Sequence, residues 1–442
     1  MTRKMEVEVS EYQVIIVTKS KCVLLIAGER TPEIPCIEVP KGRRPVQTIS
    51  TALKQNFGIF GFILGVFPLE DGFGGCAIAE FIGSTLPSGF VVINSEDFLV
   101  EAYPRQVRTI LEEVLADRVL PVARLGWFND AVTWVERATG LKLAARTSPH
   151  QLNGGRGFAL ICFSMENGQR YWLKATGQPN EHEYHVTNCL NRLCPGYVPT
   201  VIANSDCWNA WLSKDEGASA SESMSLEQFD RAVHCLAHLQ HKSMSGIDSI
   251  LAAGAFDQRL PVLLSHIDQI IRYLIEAMER QTSTRAIPIP ADRLMTLGAL
   301  LECACMRMKA LGIPDVILHN DLNPGNILFH KERCVIADWS EAAVGNPFLS
   351  FDRLCALNDA NSQSGRAVYA NFWLKYLSQT AVNEAFVLAP LLAIYSHLYG
   401  RGTWLTDSKT VSSPSEGYAR SLARHLDRAA QSPQLLKVLG RC

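Results

Sequence analysis

Residues 12–120 alternate short apolar runs with amphipathic segments, the pattern of a small α/β unit. Two β-rich runs at residues 12–17 and 22–27 flank a polar turn, which predicts a hairpin. A helical pattern over residues 46–57 ends before Gly58. Further segments continue the alternation: strands at 61–67 and 76–82, and a helix at 105–118 with one apolar face.

From residue 141 the pattern becomes strand, glycine-rich turn, strand, turn, strand. The strands at residues 158–163 and 170–175 are joined by Asn167-Gly168, a hairpin signal. Further elements follow: a helix at 181–193 and strands at 201–204 and 208–212. After residue 225 the chain is mostly helical, interrupted by an apolar run at 316–328. The whole pattern predicts an α+β protein.

Composition narrows the class of protein. The 442 residues allow two or three compact domains, and 47% hydrophobic with 19% charged residues is a globular balance. A net charge of −2 argues against nucleic acid or a membrane as the main partner. The 13 cysteines form no CxxC pair and no signal sequence precedes the first strands, so we expect reduced thiols and a cytoplasmic location.

Four polar residues in and after the run at 316–328 carry the chemistry. His319, Asp321 and Asn326 have the spacing H-x-D-x-x-x-x-N, and a second apolar run ends in Asp338. Phosphoryl transfer uses such a set, because one carboxylate accepts the proton of the attacking hydroxyl. An amide and a second carboxylate hold the magnesium ions that bridge the phosphates. This spacing is that of a kinase catalytic loop.

These residues resemble the phosphotransferase family of aminoglycoside and choline kinases, over roughly residues 140–442. Protein kinases have an Arg where this chain has Asn320, and Phe-Gly where it has Trp339-Ser340. No Ala-Pro-Glu follows. A small-molecule kinase is therefore the better interpretation. The resemblance implies a bilobal protein-kinase-like fold that binds ATP and Mg²⁺ between its lobes.

The resemblance also assigns roles. Asp321 would be the catalytic base, Asn326 and Asp338 would hold magnesium, and His319 would orient the loop. Lys174, in an otherwise apolar strand, would contact the α- and β-phosphates. Its ion-pair partner would be Glu183, with Glu181 as the rival.

A glycine-rich turn precedes the lysine strand. Gly154, Gly155 and Gly157 would cover the phosphates, because a glycine lets the backbone approach an anion closely. The backbone of residues 211–214 would bind the adenine edge. A solvated β-turn remains the alternative for the glycines.

The N-terminal unit resembles a Nudix domain in outline. Pro40-Lys41-Gly42, followed by a helix that ends at Gly58, matches that family's loop–helix–loop. The family's helix carries an Arg-Glu-x-x-Glu-Glu cluster that binds magnesium, whereas residues 51–56 here read Thr-Ala-Leu-Lys-Gln-Asn. Without carboxylates no hard cation would bind there. An unrelated α/β unit remains the alternative.

The predicted organisation has four parts: a Nudix-like domain lacking the hydrolase carboxylates at 1–122, a linker helix at 123–140, a kinase-like N-lobe at 141–215, and a helical C-lobe with the catalytic loop at 216–442. The predicted function is ATP-dependent transfer of the γ-phosphate to a hydroxyl of a small molecule. The alternative is a non-catalytic nucleotide-binding or scaffold protein. The pattern does not decide the oligomeric state.

Other residues have weaker signals. The acceptor would contact the helices after Ser225 and the region around Trp404, and an aminoglycoside, a choline-like amine, a sugar or an amino alcohol all stay open. Asp352 is the candidate for the structural Asp that the family places after a Gly-Asp-Pro segment. His234, His238 and His241 share a helix face and read as partly buried residues without a metal.

Overall fold

The computed structural model describes residues 8–28, 31–68, 74–83, 85–98, 105–144, 149–155, 157–221, 224–400 and 413–440. The chain divides into two compact units. Unit 1 comprises Met1–Tyr184 with Val201–Asp215, and unit 2 comprises His185–Thr200 with Glu216–Cys442.

The described residues of unit 1 form two sheets. The first is six-stranded, in the order β4-β5-β1-β2-β6 with β3 paired to β1, and the β1–β5 pair is parallel. Its strands are β1 (Val9–Val17), β2 (Cys22–Ile26), β3 (Cys36–Pro40), β4 (Gly61–Pro68), β5 (Gly74–Phe81) and β6 (Phe90–Asn94). The second is antiparallel, in the order β10-β11-β9-β8-β7. Its strands are β7 (His150–Gly155), β8 (Phe158–Ser164), β9 (Arg170–Thr176), β10 (Val201–Ser205) and β11 (Ala210–Lys214).

In the part of unit 1 that the structure describes, the α-helices beside these sheets are α1 (Pro45–Phe57), α2 (Arg105–Leu115) and α3 (Trp127–Thr139). The predicted helix at 46–57 is thus present, and Gly58 ends it in the left-handed region at φ 66°. The predicted strand at 208–212 lies two residues later. Residues Asp206–Trp208 form a 3₁₀ turn and Asn209 is left-handed, so the strand begins only at Ala210.

The first sheet is buried on both faces, which explains the uninterrupted apolar run in β1. Val14 and Ile16 point to the core formed with α1, whereas Ile15 and Val17 point to the core shared with α2, α3 and the second sheet. Successive side chains of a strand alternate between faces, so both sets must be apolar when both faces are covered.

One side chain connects the two sheets of unit 1. Gln151 Nε2 donates to Ile63 O and Gln151 Oε1 accepts from Ile63 N–H, each at 2.8 Å. Both strands depart from regular pairing at this point. The amide therefore satisfies backbone groups that a regular ladder would have paired. The predicted Nudix-like segment, linker helix and N-lobe strands all lie in unit 1, and their predicted borders stay predictions.

Unit 2 is mainly helical. Helix α4 (His182–Leu193) begins in unit 1 and continues into unit 2 after Tyr184. The other helices are α5 (Leu226–Ser243), α6 (Ile247–Ala252), α7 (Leu260–Ser265), α8 (Ile267–Glu279), α9 (Ala291–Ala310), α10 (Pro347–Leu357), α11 (Ser362–Trp373), α12 (Gln379–Gly400), α13 (Ser413–Ala430) and α14 (Pro433–Leu439). Trp404 lies outside the described residues.

Two small sheets complete unit 2, in the orders β12-β15-β16 and β13-β17-β14. Their strands are β12 (Ala218–Ser219), β13 (Phe256–Gln258), β14 (Val316–His319), β15 (Ile327–His330), β16 (Arg333–Ile336) and β17 (Ala342–Gly345). One core joins α4, α5, α9, α10, α12 and α13 around β14. Among the described helices, α12 alone is long and apolar enough to cross a membrane, but 61% of its most apolar window is buried within the protein, as in a core helix.

A buried carboxyl in the first sheet gives unit 1 a pH dependence. Glu80 on β5 is fully buried and accepts a hydrogen bond from Gly126 N–H at 2.7 Å. Burial raises its pKa to about 7, although the nearby cations Lys19 and Arg124 oppose the shift. A carboxyl whose pKa is higher in the folded than in the unfolded chain stabilises the fold at low pH. That contribution is lost as the pH rises through 7.

We therefore expect Glu80→Gln to remove a loss of stability that wild type shows between about pH 4.5 and pH 7.5, worth up to about 3 kcal/mol. Thermal unfolding of both proteins across this range measures it. Glu38→Gln, at an exposed position on β3, is the matched control and should follow wild type. Parallel pH curves for wild type and Glu80→Gln would contradict the assignment.

Candidate functional site

A buried strand and a hairpin in unit 2 bring the predicted loop residues together. Strand β14 pairs antiparallel with β17, and His319 is its last residue, opposite Ala342. The hairpin of β15 and β16 pairs Ile327 with Ile336, so the residues just outside this pair, Asn326 and Ala337, lie at the same end. Ala337 N–H donates to Asn326 O at 2.8 Å.

His319 braces this loop. Its side chain is 1% exposed, and Nε2 lies 2.9 Å from the carbonyl oxygen of Ala337. Since a carbonyl can only accept, Nε2 carries the proton. Burial lowers the pKa of His319, which keeps the imidazole neutral, and its ring packs edge-on against Trp339. A neutral, fully enclosed imidazole orients the loop and is not placed to exchange protons with a substrate.

Asp321 is held at both carboxylate oxygens. Oδ2 accepts from Asn323 Nδ2 at 3.1 Å and from Asn326 Nδ2 at 3.5 Å, while Oδ1 faces Arg353 Nη2 at 3.9 Å. The side chain of Asp321 is nevertheless 34% exposed. A carboxylate that is both oriented and open to solvent can accept a proton from a bound hydroxyl.

Asn326 and Asp338 supply the oxygens suited to a hard cation. Asn326 Nδ2 donates to Asp321 O at 2.8 Å, which leaves its Oδ1 as the remaining acceptor. Asp338 accepts from Ser340 Oγ at 3.1 Å and has a left-handed backbone, φ 67°. This region is uncommon for a residue with a Cβ, and such conformations concentrate at functional sites.

These two residues fit a magnesium ion that is only partly held by protein. Mg²⁺ takes one or two carboxylates, keeps waters and binds substrate phosphates, so an amide oxygen and one carboxylate are a sufficient protein share. No group of three or more His, Cys, Asp or Glu comes together as a metal site within the described ranges.

A buried ion pair lies in unit 1. Lys174 on β9 is 9% exposed and its Nζ lies 2.5 Å from Oε1 of Glu183, which is 1% exposed and in the first turn of α4. Glu181, the rival partner, instead accepts from Gln178 Nε2 at 2.6 Å. The rings of Phe158 and Trp211 also flank the ammonium, at 5.6 and 5.8 Å.

The glycines of the predicted phosphate cover differ in their surroundings. A Cβ at Gly154 would lie 2.5 Å from Gln151 Nε2, and one at Gly157 would lie 3.0 Å from Leu120 Cδ1, whereas Gly155 faces open space. Packing within unit 1 thus explains why glycine occupies positions 154 and 157. Their role over phosphates stays a prediction, and Arg156 lies outside the described residues.

Asp352 is not the residue that supports the loop. Ser350, two residues earlier on α10, accepts from His319 N–H at 3.0 Å. Burial raises the pKa of Asp352 to about 6, and its charged neighbour is Arg366. The segment Gly345-Asn346-Pro347 begins α10, with Asn346 Oδ1 accepting from Phe348 N–H, so the helix start fixes which side chain faces the loop.

Sequence reasoning also missed Arg353, which approaches Asp321. A signal was present, because Arg353 follows Ser350 by three residues and the two share a helix face. The three-residue spacing becomes informative only once the structure shows that Ser350 contacts His319.

A cavity in the described part of unit 2 lies away from this loop. It has a volume of about 410 Å³ and is lined by α5, the hairpin of β15 and β16, and residues near Tyr197. His238 lies there between the rings of Tyr197 and Phe372, at 5.9 and 4.8 Å. Burial, together with neighbouring cations, lowers its pKa. Glu332 is the one carboxylate in the lining, so the cavity lacks the paired carboxylate and amide of the loop.

Comparison with known proteins agrees with the loop. Residues 181–386 match the phosphotransferase enzyme family. The matched segment, slightly less than half of the chain, includes Glu183 and every loop residue from His319 to Asp338. No curated protein matches the chain.

Kinases and phosphotransferases are among the solved structures similar to the chain. The macrolide 2′-phosphotransferase of Brachybacterium faecium is 17% identical, with 66% of this chain and 96% of that chain covered and a TM-score of 0.43. A choline/ethanolamine kinase family protein of Mesorhizobium loti is 16% identical, with 70% and 98% covered and a TM-score of 0.46. An ADP-bound aminoglycoside phosphotransferase is 16% identical, with 68% and 99% covered and a TM-score of 0.43.

The buried ion pair can be tested through stability. Removing one partner of a buried pair typically costs about 3–5 kcal/mol, whereas replacing both by apolar residues is often neutral. Glu183→Leu should therefore lower the free energy of unfolding strongly, and adding Lys174→Met should recover most of the loss. Urea denaturation measures both. Glu181→Leu is the control and should change stability by less than about 0.5 kcal/mol; an equally small effect of Glu183→Leu would refute the energetic role.

Proposed function

We propose that this protein is an ATP-dependent phosphotransferase that transfers the γ-phosphate to a hydroxyl group of a small molecule. The observation that carries the proposal is the convergence of Asp321, Asn326 and the Asp338 strand end, joined through the Ala337 backbone. The phosphotransferase match over residues 181–386 supports it. The acceptor class stays open among aminoglycosides, macrolides, choline-like amines, sugars and amino alcohols.

Asp321 is the base in this proposal. Its carboxylate would accept a hydrogen bond from the acceptor hydroxyl, orient the oxygen towards the γ-phosphorus and take the proton as the new P–O bond forms. Asn323 and Arg353 keep the carboxylate in one orientation. Catalysis of this kind depends mainly on positioning, because phosphoryl transfer requires little covalent work from the protein.

Asn326 Oδ1 and the Asp338 carboxylate would hold magnesium. When bound, the ion neutralises the charge of the phosphate oxygens. The hydrogen bond from Asn326 Nδ2 to Asp321 O keeps the carbonyl oxygen of the amide available, and the Ser340 hydroxyl orients the Asp338 carboxylate.

Lys174 would contact the α- and β-phosphates, with Glu183 fixing the ammonium. The carboxylate of Glu183 keeps Lys174 charged in a buried position. Gly154, Gly155 and Gly157 would cover the phosphates. A non-catalytic nucleotide-binding protein would also bind ATP, but it would have no use for an oriented and exposed Asp321.

The first test is transfer of labelled γ-phosphate from ATP to a panel of hydroxylated antibiotics, amines and sugars. With an acceptor found, Asp321→Asn should lower kcat by about 10²–10⁴-fold, because general base catalysis is lost. Calorimetry should give an unchanged Kd for ATP. Glu332→Gln, at the turn of the hairpin, is the control and should keep full activity. Retention of activity by Asp321→Asn would reject the assignment.

The metal assignment has a separate test. Chelation with EDTA should abolish transfer and added Mg²⁺ should restore it. Asp338→Asn removes the carboxylate while keeping an oxygen, so it should raise the Mg²⁺ concentration needed for half-maximal activity at least tenfold. A titration with Mg²⁺ measures this. An unchanged requirement would show that Asp338 does not hold the ion.

A further inference from the structure

Helix α10 directs two side chains at the catalytic loop from one face. Ser350 receives His319 N–H, and Arg353, three residues later, places Nη2 3.9 Å from Asp321 Oδ1. The guanidinium thus approaches the carboxylate oxygen that Asn323 does not occupy. Arg353 is 31% exposed and lies beside an equally accessible Asp321.

Two further helices support the Arg353 guanidinium, α12 by a direct contact and α13 through that contact. Arg353 Nη1 lies 3.2 Å from Nδ1 of His397 on α12, and His397 Nε2 lies 2.6 Å from the hydroxyl oxygen of Tyr418 on α13. Four side chains on four segments therefore form one line from α13 to the loop. Asp321 is 97 positions before Tyr418 in the sequence.

This line determines the tautomer of His397. A guanidinium has only donors, so Nδ1 of His397 must be the unprotonated nitrogen that accepts from Arg353. The proton is then on Nε2, which donates to the Tyr418 hydroxyl oxygen. His397 is accordingly neutral in this arrangement, since a second ring proton would point at the guanidinium.

A neutral acceptor behind Arg353 has an electrostatic consequence. A carboxylate in the position of His397 would fix the arginine but neutralise its charge. An imidazole fixes it by a hydrogen bond and leaves the positive charge to act on Asp321. The loop itself carries Asn320 before Asp321, so no cation is supplied from that neighbouring position.

The end of α12 also approaches the loop directly. A Cβ at Gly400 would lie 3.1 Å from Nδ2 of Asn320 and 2.3 Å from Nε2 of Gln258. Gln258 Oε1 in turn accepts from Ser396 Oγ at 2.7 Å. On either side of His397, Ser396 and Gly400 thus pack against Gln258 of β13, and Gly400 also lies next to Asn320 of the loop. These contacts limit where His397 can place Arg353.

We propose that Arg353 is a positioning residue for Asp321, and that His397 and Tyr418 form its support. This inference rests on the proposed function. Arg353 holds the carboxylate in the orientation that receives the acceptor hydroxyl, and the contact between His397 on α12 and Tyr418 on α13 sets that orientation. Loss of any member loosens Asp321 while Asn326, Asp338 and Lys174 stay in place.

The kinetic effect should be graded along the line. Arg353→Met should lower kcat about 30–100-fold, since misplacement of a catalytic group by about 1 Å can cost about 10²-fold. His397→Phe, which removes the acceptor for Arg353, should lose about tenfold, and Tyr418→Phe less than about fivefold. The KM for ATP should stay within about threefold throughout. Arg353→Lys should recover part of kcat, because a single ammonium keeps the charge but not both contacts.

Matched controls separate this role from a structural one. Arg272→Met on α8 and His425→Phe on α13 make the same chemical changes at exposed positions and should leave kcat unchanged. Nitrogen-15 NMR of the histidines gives a readout that is independent of activity. Wild type should show His397 as the Nε2–H tautomer, and Arg353→Met should abolish that preference.

The outcomes are distinguishable. If an active wild type and Arg353→Met share the same kcat, or if His397 is protonated on Nδ1 in wild type, the positioning role is wrong and the proposed function survives. If wild type transfers phosphate to no acceptor, the proposed function fails and this inference falls with it.

Discussion

The backbone of Ala337 holds the candidate site together. Its N–H donates to Asn326 O and its carbonyl oxygen accepts from the His319 imidazole. One residue without a functional side chain thus connects the strand before Asp321, the turn that carries Asn326 and the segment that follows β16 and carries Asp338. Because both of its polar groups are satisfied inside the loop, a shift of any one segment would leave a buried backbone group without its partner.

Unit 1 buries a charged side chain, Lys174. A strand with buried neighbours on either side has no obvious place for an ammonium, yet Lys174 occupies β9 between β8 and β11. Glu183 makes this tolerable by supplying the opposite charge at 2.5 Å, and the rings of Phe158 and Trp211 add favourable faces. Such an arrangement costs stability compared with an apolar pair, and it is understandable where the lysine has a further use.

The sequence predicted most local elements because they follow from neighbouring residues. The helix before Gly58, the hairpin around Asn167-Gly168 and the loop from His319 to Asn326 are encoded within short windows. The strand after Asn209 was misplaced by two residues, because a 3₁₀ turn and a left-handed residue leave little trace in an apolar pattern. The loop spacing and the family resemblance together predicted phosphotransferase chemistry, and the match of residues 181–386 to the phosphotransferase enzyme family agrees with that prediction.

Contacts between distant segments could not be predicted in this way. The parallel pairing of β1 with β5 and the bridge from Gln151 to Ile63 depend on how whole strands assemble. Asp352 was the candidate for the structural Asp that the family places after its Gly-Asp-Pro segment, whereas the fold places a neutral hydroxyl, Ser350, against His319. Arg353, His397 and Tyr418 meet only after three helices have packed, so no local pattern marks them as a group.

Because Asp338 has a left-handed backbone, one substitution at this position would remove the proposed activity and leave the fold intact. Glycine adopts this conformation without strain, so a change of Asp338 to Gly would relax the chain while removing the carboxylate proposed to hold magnesium. A descendant carrying that change would keep its shape, its core and its other loop residues. Natural selection for a folded protein would not remove it. Among relatives of this chain, an Asp at position 338 is therefore a better indicator of the proposed phosphoryl transfer than overall sequence similarity.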